Sequence, residues 1–455
     1  MTAGNGDLPG RWIMTTMGEV AEVVGGGTPK TTVSGNFDDA TGHPWLTPAD
    51  LTGHREKTIS HGKRFLTDQG LKTSAAKYMP PGTILFSSRA PIGYVAIAAN
   101  PVTTNQGFRS FVPSERLDSN YAYHYLRSIK DVAEQMASGT TFNELSGSKA
   151  KTLPIPLPPV DEQRRIAVWL DEMGARRSSI SDRLAAARAI VDRLRTAVLA
   201  AACCGRLTTE CRSVNTLQRV PQGPLLSTQA QRHASGAENS NNFTDIPESW
   251  GWWSVESIIA KVIDYRGRTP PTSDAGTIPH VRTTQLRDGR IDWHVDRFVA
   301  AETYGTYMTR GLPERGDVLF TMEAPLGEVG VVDVDEPFSI AQRILLLRPG
   351  DGLTGDYLAL ALRSPAVRRA IELRSTGSGV SGVAYKRLRS VLIPKPPLEE
   401  QFEIVRRAHA ALKTAEELAT ALSRARDALE RSVRATAAMA FRGEFAVVDD
   451  GELVA

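Results

Sequence analysis

Cysteine is scarce in this chain: three residues in 455, Cys203, Cys204 and Cys211. Their spacing fits no zinc site, and two adjacent cysteines cannot easily meet disulfide geometry with each other. Reduced thiols in a cytoplasmic protein are the expectation. No apolar run approaches ~20 residues, so no membrane-spanning helix is expected. Residues Met1 to Asp7 lack a basic segment followed by an apolar one, and no signal peptide is expected either. Net charge is only +3. Any nucleic-acid surface must therefore be a local patch, not a property of the whole chain.

Catalytic patterns are missing too. There is no G-x-x-x-x-G-K-[ST] phosphate loop; Gly27-Thr28-Pro29-Lys30-Thr31 matches it only in part. Val24-Gly25-Gly26-Gly27 is glycine-rich but runs into Thr-Pro where a dinucleotide site needs a helix start. The eight histidines form no H-x-x-x-H pair, and no acidic cluster with a lysine suggests a metal-dependent nuclease. The Asn/Asp-Pro-Pro-aromatic signature of amino-methylating enzymes is absent. No metal, cofactor or catalytic residue is assigned to this chain, and a binding module is the class that remains.

What is present is a duplication, the feature to seek first in any long chain. Ile155-Pro156-Leu157-Pro158-Pro159-Val160-Asp161-Glu162-Gln163 returns 238 positions later as Ile393-Pro394-Lys395-Pro396-Pro397-Leu398-Glu399-Glu400-Gln401. The same offset relates Leu8-Pro9-Gly10-Arg11-Trp12 to Ile246-Pro247-Glu248-Ser249-Trp250, and Gly205 to Gly443. Each copy is a mixed globular segment followed by a long helix.

In the first segment, residues 1–159, Thr83-Ile84-Leu85-Phe86 and Tyr94-Val95-Ala96-Ile97-Ala98 read as strands bounded by Gly and Pro. A helix is expected from Asn120 to about Glu134. Residues 160–205 read as one long helix, with Pro158-Pro159 before it and Gly205 after it. Ile166, Met173, Ile180, Ala187, Leu194 and Ala201 keep a strict heptad. Leu170, Leu184, Val191 and Val198 fill the partner register, broken by Arg177. Such a repeat predicts a coiled-coil seam. Residues 206–245 are polar and aperiodic, as in a linker.

The second segment, 246–397, keeps the same skeleton: Phe320-Thr321-Met322-Glu323-Ala324-Pro325-Leu326-Gly327 answers Phe86-Ser87-Ser88-Arg89-Ala90-Pro91-Ile92-Gly93. The second helix, 398–446, carries Ile404, Ala408, Ala411, Ala415, Leu418, Leu422, Ala425 and Leu429, and 447–455 form an acidic tail. The expected fold class is α+β, with two duplicated mixed domains joined by two long antiparallel coiled-coil helices in a pseudo-two-fold object. Pairing between chains is the alternative.

Two similar binding domains on a spacer suit a ligand with two sites at fixed separation, and double-stranded DNA is the natural candidate. Base edges are read by side chains with fixed donor and acceptor patterns. The first segment offers Thr28, Lys30, Arg89, Gln106 and Arg109. The second offers Arg266, Arg268, Arg282, Thr283, Thr284, Gln285, Glu323, Gln342 and Arg343. The frame around Arg89 and Glu323 is shared while the tips differ, which suits readers of two different half-sites. Ordinary surface drift between copies explains any single position as well. Arg266 and Arg268 could instead hold phosphates, which position without specifying.

The layout resembles the specificity subunit of a type I restriction–modification system. The resemblance covers nearly all of residues 8–446 and rests on the two globular segments, the two P-x-P-P-x-x-E-Q stretches (Pro156 to Gln163, Pro394 to Gln401) and the long helices after them. The Gly-x-Thr-Pro loops, Gly26 to Pro29 and Gly267 to Pro270, also look like that family. The resemblance implies two target-recognition domains that each read one half of a bipartite DNA site, with an unread spacer set by the helices. It implies two modification subunits that bring S-adenosylmethionine and methylate adenine, and restriction subunits that would use ATP and Mg. The specificity subunit itself would hold no catalytic residue. A coiled-coil scaffold that binds only proteins, and an enzyme in its own right, are the competing readings.

Overall fold

The fold is that of a computed structural model, which describes residues 8–89, 91–137, 143–214, 246–267, 269–323, 325–375 and 382–444, with the backbone of Ala446–Val447 and Leu453–Val454. Most of the expected linker (215–245) and the acidic residues Asp449, Asp450 and Glu452 lie outside the described residues. Two compact units divide the chain: residues 1–185 with 423–455, and residues 186–422. The division runs across both long helices, Val160–Cys203 and Leu398–Arg442. Each unit thus owns a mixed domain, the start of its own helix and the end of the other.

In the first unit a sheet runs in the order Ala21–Gly25, Arg109–Pro113, Ile84–Phe86, Val95–Ala98, Thr58–Ile59. Neighbours among the first four strands are antiparallel, and the last strand joins parallel. Helix Ser119–Ser128 covers it, capped by Asp118, whose carboxylate accepts from the Asn120 and Tyr121 amides at 2.9 and 3.1 Å. The expected single helix is in fact two. Ile129 leaves helical geometry (φ −101°, ψ 20°) before Lys130–Met136 begins. The core joins Trp12, Phe86, Phe111, Tyr121, Tyr125, Ile166 and Leu170, and Ala440 and Phe441 from the far helix complete it.

The second unit repeats this order: Ile259–Asp264, Ile344–Pro349, Val318–Thr321, Val329–Val331. Helix Gly355–Arg363 covers the sheet, and Pro365 opens the next helix at a position where its missing N–H costs nothing. Its core of Trp250, Phe320, Tyr357, Ile393, Ile404 and Ala408 is completed by Val198, Ala202 and Cys203.

The repeated proline motif has a structural explanation. Pro154–Leu157 and Leu392–Lys395 each pair antiparallel with a strand after the opening tryptophan, Ile13–Thr16 and Gly251–Ser254. These are two-stranded sheets with a free edge, where proline is tolerated. Gln163 is buried and donates to the Arg116 and Pro158 carbonyls, both at 2.9 Å, while accepting from the Asp118 amide at 2.8 Å. Gln401 repeats this with Gly352 (2.8 Å), Pro396 (3.0 Å) and the Thr354 amide (2.9 Å). Tyr121 and Tyr357 donate to the Pro156 and Pro394 carbonyls, both at 2.7 Å. The motif fastens each domain to its helix.

The helices run antiparallel within each unit: Arg177 pairs with Glu430 in the first, and Val191 packs on Ala415, Ala419 and Leu422 in the second. The expected seam needs correction. Ile180, Leu194 and Leu418 are 44%, 40% and 47% exposed, while Leu170, Val191, Val198 and Ala419 are buried. A straight helix drifts ~20° per heptad against a 3.5-residue repeat, so the first register, still buried at Ile166 and Ile404 in the domain cores, turns outward farther along the helices. Gly174 does not break the first helix, and nothing stands within 4 Å of where its Cβ would be.

Candidate nucleic-acid interface

At one end of each domain sheet the chain turns sharply after a buried strand. In the first domain the Ser88 amide donates to the Gly107 carbonyl at 2.7 Å, and the Leu145 amide donates to the Ser88 carbonyl at 2.9 Å. Ser87 closes the turn, its hydroxyl donating to Pro91 O (2.7 Å) and accepting from the Tyr94 amide (2.8 Å). The second domain repeats each bond. Met322 N donates to Arg343 O and Val383 N to Met322 O, both at 2.9 Å; Thr321 takes the place of Ser87, donating to Pro325 O and accepting from Glu328 N. Arg89 and Glu323 therefore sit at the same place on a frame fixed from three sides.

Four of the five candidates in the first domain come together there. Arg89 Nε donates to Glu144 Oε2 at 2.8 Å, and Arg109 Nη2 donates to Glu144 Oε1 at 2.7 Å. Arg109 also donates to the Gln106 and Phe108 carbonyls at 3.2 and 2.8 Å, and Thr28 bonds Gln106. Lys30 lies apart and exposed, its carbonyl accepting from Asn36 at 3.0 Å. Sequence reading missed Glu144. Its signal was a single acid in a Ser-, Thr-, Gly- and Asn-rich stretch, at the position where the second copy has Gly382.

The second domain separates its candidates. Glu323 and Arg343 form an ion pair at 3.1 Å beside Gln342. Arg266 is engaged by Asp264, Nη2 to Oδ2 at 2.6 Å, and Arg282 by Asp296. Gln285 is buried and accepts from the Arg282 amide at 3.0 Å and the Thr284 hydroxyl at 3.1 Å, which is an internal role. Thr283 opens the short 3-10 turn that ends at Gln285. Arg268 lies outside the described residues.

The first unit also has a cavity of about 670 Å³ whose lining includes His54, Arg55, Arg127, Lys130 and Arg177. Glu56 and Asp182 line it as well, so its charge is mixed. Among the described residues, no group of three or more His, Cys, Asp or Glu could hold a metal, and no helix is long and apolar enough to cross a membrane.

Known proteins share the two-part layout of the chain. Residues 9–186 and 253–423 match the family model described as the type I restriction modification DNA specificity domain. The chain is 40% identical over 167 residues to the MjaIX specificity subunit of Methanocaldococcus jannaschii, an alignment that spans 36% of this chain and 38% of that protein. It is 25% identical over 437 residues to the EcoBI specificity subunit of Escherichia coli, covering 95% of this chain and 86% of that one. In fold it is similar to a chain from a structural study of complex assembly and conformational transition in the type I R-M system. That likeness has a TM-score of 0.69 at 21% identity and covers 96% and 99% of the two chains. It is also similar to the HsdS subunit of Thermoanaerobacter tengcongensis, with a TM-score of 0.55 at 21% identity, covering 98% and 100%. With both halves matched by one family model and the same frame built twice, the chain belongs to the type I restriction modification DNA specificity family.

Proposed function

We propose that this chain is the subunit that supplies DNA sequence specificity to a type I restriction–modification complex, each domain reading one half of a bipartite target. The observation that carries the reading is one rigid frame built twice with different charged tips, Arg89 held by Glu144 and Glu323 paired with Arg343. One frame with two tips reads two half-sites. The two long helices would set the length of the unread spacer.

The chemistry belongs to partners. Two modification subunits would bring S-adenosylmethionine and methylate adenine in each half-site, and restriction subunits would add ATP- and Mg-dependent translocation and cleavage in the cytoplasm. This chain's own residues position DNA. Arg89, Gln106, Arg109, Glu323 and Arg343 face bases; Lys30, Arg266 and Arg282 suit phosphates. Val168, Ile190 and Phe402 are 58%, 57% and 60% exposed on the long helices, which suits contact with partner subunits.

Sequencing of adenine methylation in the source genome, with and without this gene, tests the reading. The expected result is a bipartite motif with a fixed gap that vanishes on deletion. Unchanged methylation in a cell that makes the protein would refute it.

A further inference from the structure

The two tips carry the same ion pair with its signs reversed and its second member moved. In the first domain the tip residue is Arg89, and its acid, Glu144, stands on the strand-like segment that bridges to it. In the second the tip residue is Glu323, the bridging position is Gly382, and the base, Arg343, comes from the turn before Ile344–Pro349. The first domain has glycine at the position of Arg343. A Cβ at Gly107 would come within 2.8 Å of the Pro48 ring and 3.0 Å of Asn105 Oδ1, so that position cannot carry a charged side chain without rearrangement. The counter-charge of Arg89 therefore has to come from the other side of the tip, where Glu144 stands.

An ion pair this exposed contributes little to stability. The side chains of Arg89 and Glu144 are 45% and 25% exposed, and those of Arg343 and Glu323 are 52% and 40%. What a pair does well is hold a long side chain in one rotamer with its remaining polar atoms pointing outward. Glu144 does this for two arginines at once, leaving a donor-rich tip with one net positive charge. The second tip is neutral and presents a carboxylate at the matching place. Guanidinium groups suit the O6 and N7 acceptors of guanine, whereas a carboxylate suits the amino donor of cytosine or adenine.

We infer that this position is the specificity switch between the half-sites: Arg89, positioned by Glu144, reads guanine in one, and Glu323, positioned by Arg343, reads an amino-bearing base in the other. The inference rests on the proposed function and adds the bases and the residues that choose them.

The test exchanges the charges of the second pair in the full-length chain assembled with its modification subunits. Glu323→Arg with Arg343→Glu keeps an ion pair at the tip but turns its acceptor into a donor. Bound duplexes are selected from a randomised library and sequenced, for wild type and variant alike. The expected outcome is a change to guanine at one position of one half-site, with the other half-site and the gap unchanged. Affinity for the original target should fall about tenfold or more. An unchanged motif would make the pair a structural clip, and uniform weakening across all sequences would make it a phosphate contact; either overturns the inference. If the wild type itself selects no bipartite motif, the underlying function fails instead, which is a distinct result. Glu144→Gln in the first domain is a milder second variant, and thermal unfolding checks that both variants fold. It should blur the guanine in the other half-site only, and an unblurred motif there also counts against the assignment.

Discussion

Glu162 and Glu400 occupy the same place in the two repeats and have different surroundings. Among the described residues Glu162 accepts one bond, from Trp12 Nε1 at 3.1 Å. Glu400 is fully buried and accepts from Trp250 Nε1 at 2.8 Å, the Thr208 hydroxyl at 2.6 Å and the Arg212 guanidinium. The difference comes from the chain that follows each helix. After Cys203, residues Arg206–Thr208 and Thr209–Val214 turn back onto the start of the second helix and deliver Thr208 and Arg212. The matching positions after the second helix are Ala446 and Asp450, which can deliver neither a hydroxyl nor a cation. Gly205 and Gly443 begin both segments alike, each at positive φ, with Pro247 and Pro9 packed where a Cβ would stand. Among the described residues, one junction is therefore an ionic lock and the other a single hydrogen bond.

Removing the carboxylate gives the largest contrast. Glu400→Ala leaves Arg212, mostly buried, with only its bonds to the Gly205 carbonyl and the Thr208 and Thr209 hydroxyls, and should destabilise the second unit by about 2–3 kcal/mol. Glu162→Ala should cost the first unit about 1 kcal/mol. Hydrogen exchange of the strands Ile13–Thr16 and Gly251–Ser254, followed through denaturant, separates the two. Equal losses would mean that the lock is ornamental and that the tryptophans alone seat the helices.

A second contrast lies inside the domains. The strand His43–Leu46 puts Trp45 where Ile278–Val281 puts His280; each pairs parallel with the matching short strand. His280 is 4% exposed, is bonded to Ser339 Oγ at 2.7 Å, and is pushed by burial, with Arg282 adding to it, from 6.5 to about 4. Above pH 6.5 the ring is neutral folded and unfolded, and nothing is lost. Below that, the unfolded chain takes up a proton that the folded one refuses. Stability of the second unit should then fall by about 3 kcal/mol between pH 6.5 and 4. His124 in the first unit shifts the same way through burial, but its bond to Asp171 opposes the shift, so the loss there is smaller. His280→Gln should flatten the profile of the second unit in denaturation midpoints at pH 7 and 4.5. A profile as steep as wild type would place the acid response elsewhere, His409 being the next group shifted downward by burial.

The duplication made much of this legible. Identical spacings of Trp, the proline motif and Gly announce identical junctions, because each is used locally: Gln163 and Gln401 bond the same three backbone positions. The tips were legible only by half. Arg89 and Glu323 stand out because they differ on a shared frame, whereas Glu144 comes from 55 positions away and acts only after the sheet has folded. Gln285 looked like a base reader by residue type, but a buried amide next to an unpaired backbone N–H is drawn inward. Periodicity placed the helices well and the seam poorly. It names two registers, and helix drift then chooses between them.

The smallest expected effect concerns that seam. Arg177 stands in the register of Leu170 and Leu184 and pairs with Glu430 at 3.7 Å, with the two side chains 41% and 54% exposed. So open a pair should couple by only about 0.5 kcal/mol. A double-mutant cycle of Arg177→Ala and Glu430→Ala would measure it, and 1 M salt should abolish it. In the second unit, the corresponding contact between helices is apolar, Val191 against Ala415 and Ala419, and should be indifferent to salt. A coupling above about 2 kcal/mol at Arg177 would mean that the pair clamps the two helices. A small one leaves their alignment in the first unit to Ile166 and Leu170 against Ala440 and Phe441, which are part of the domain core.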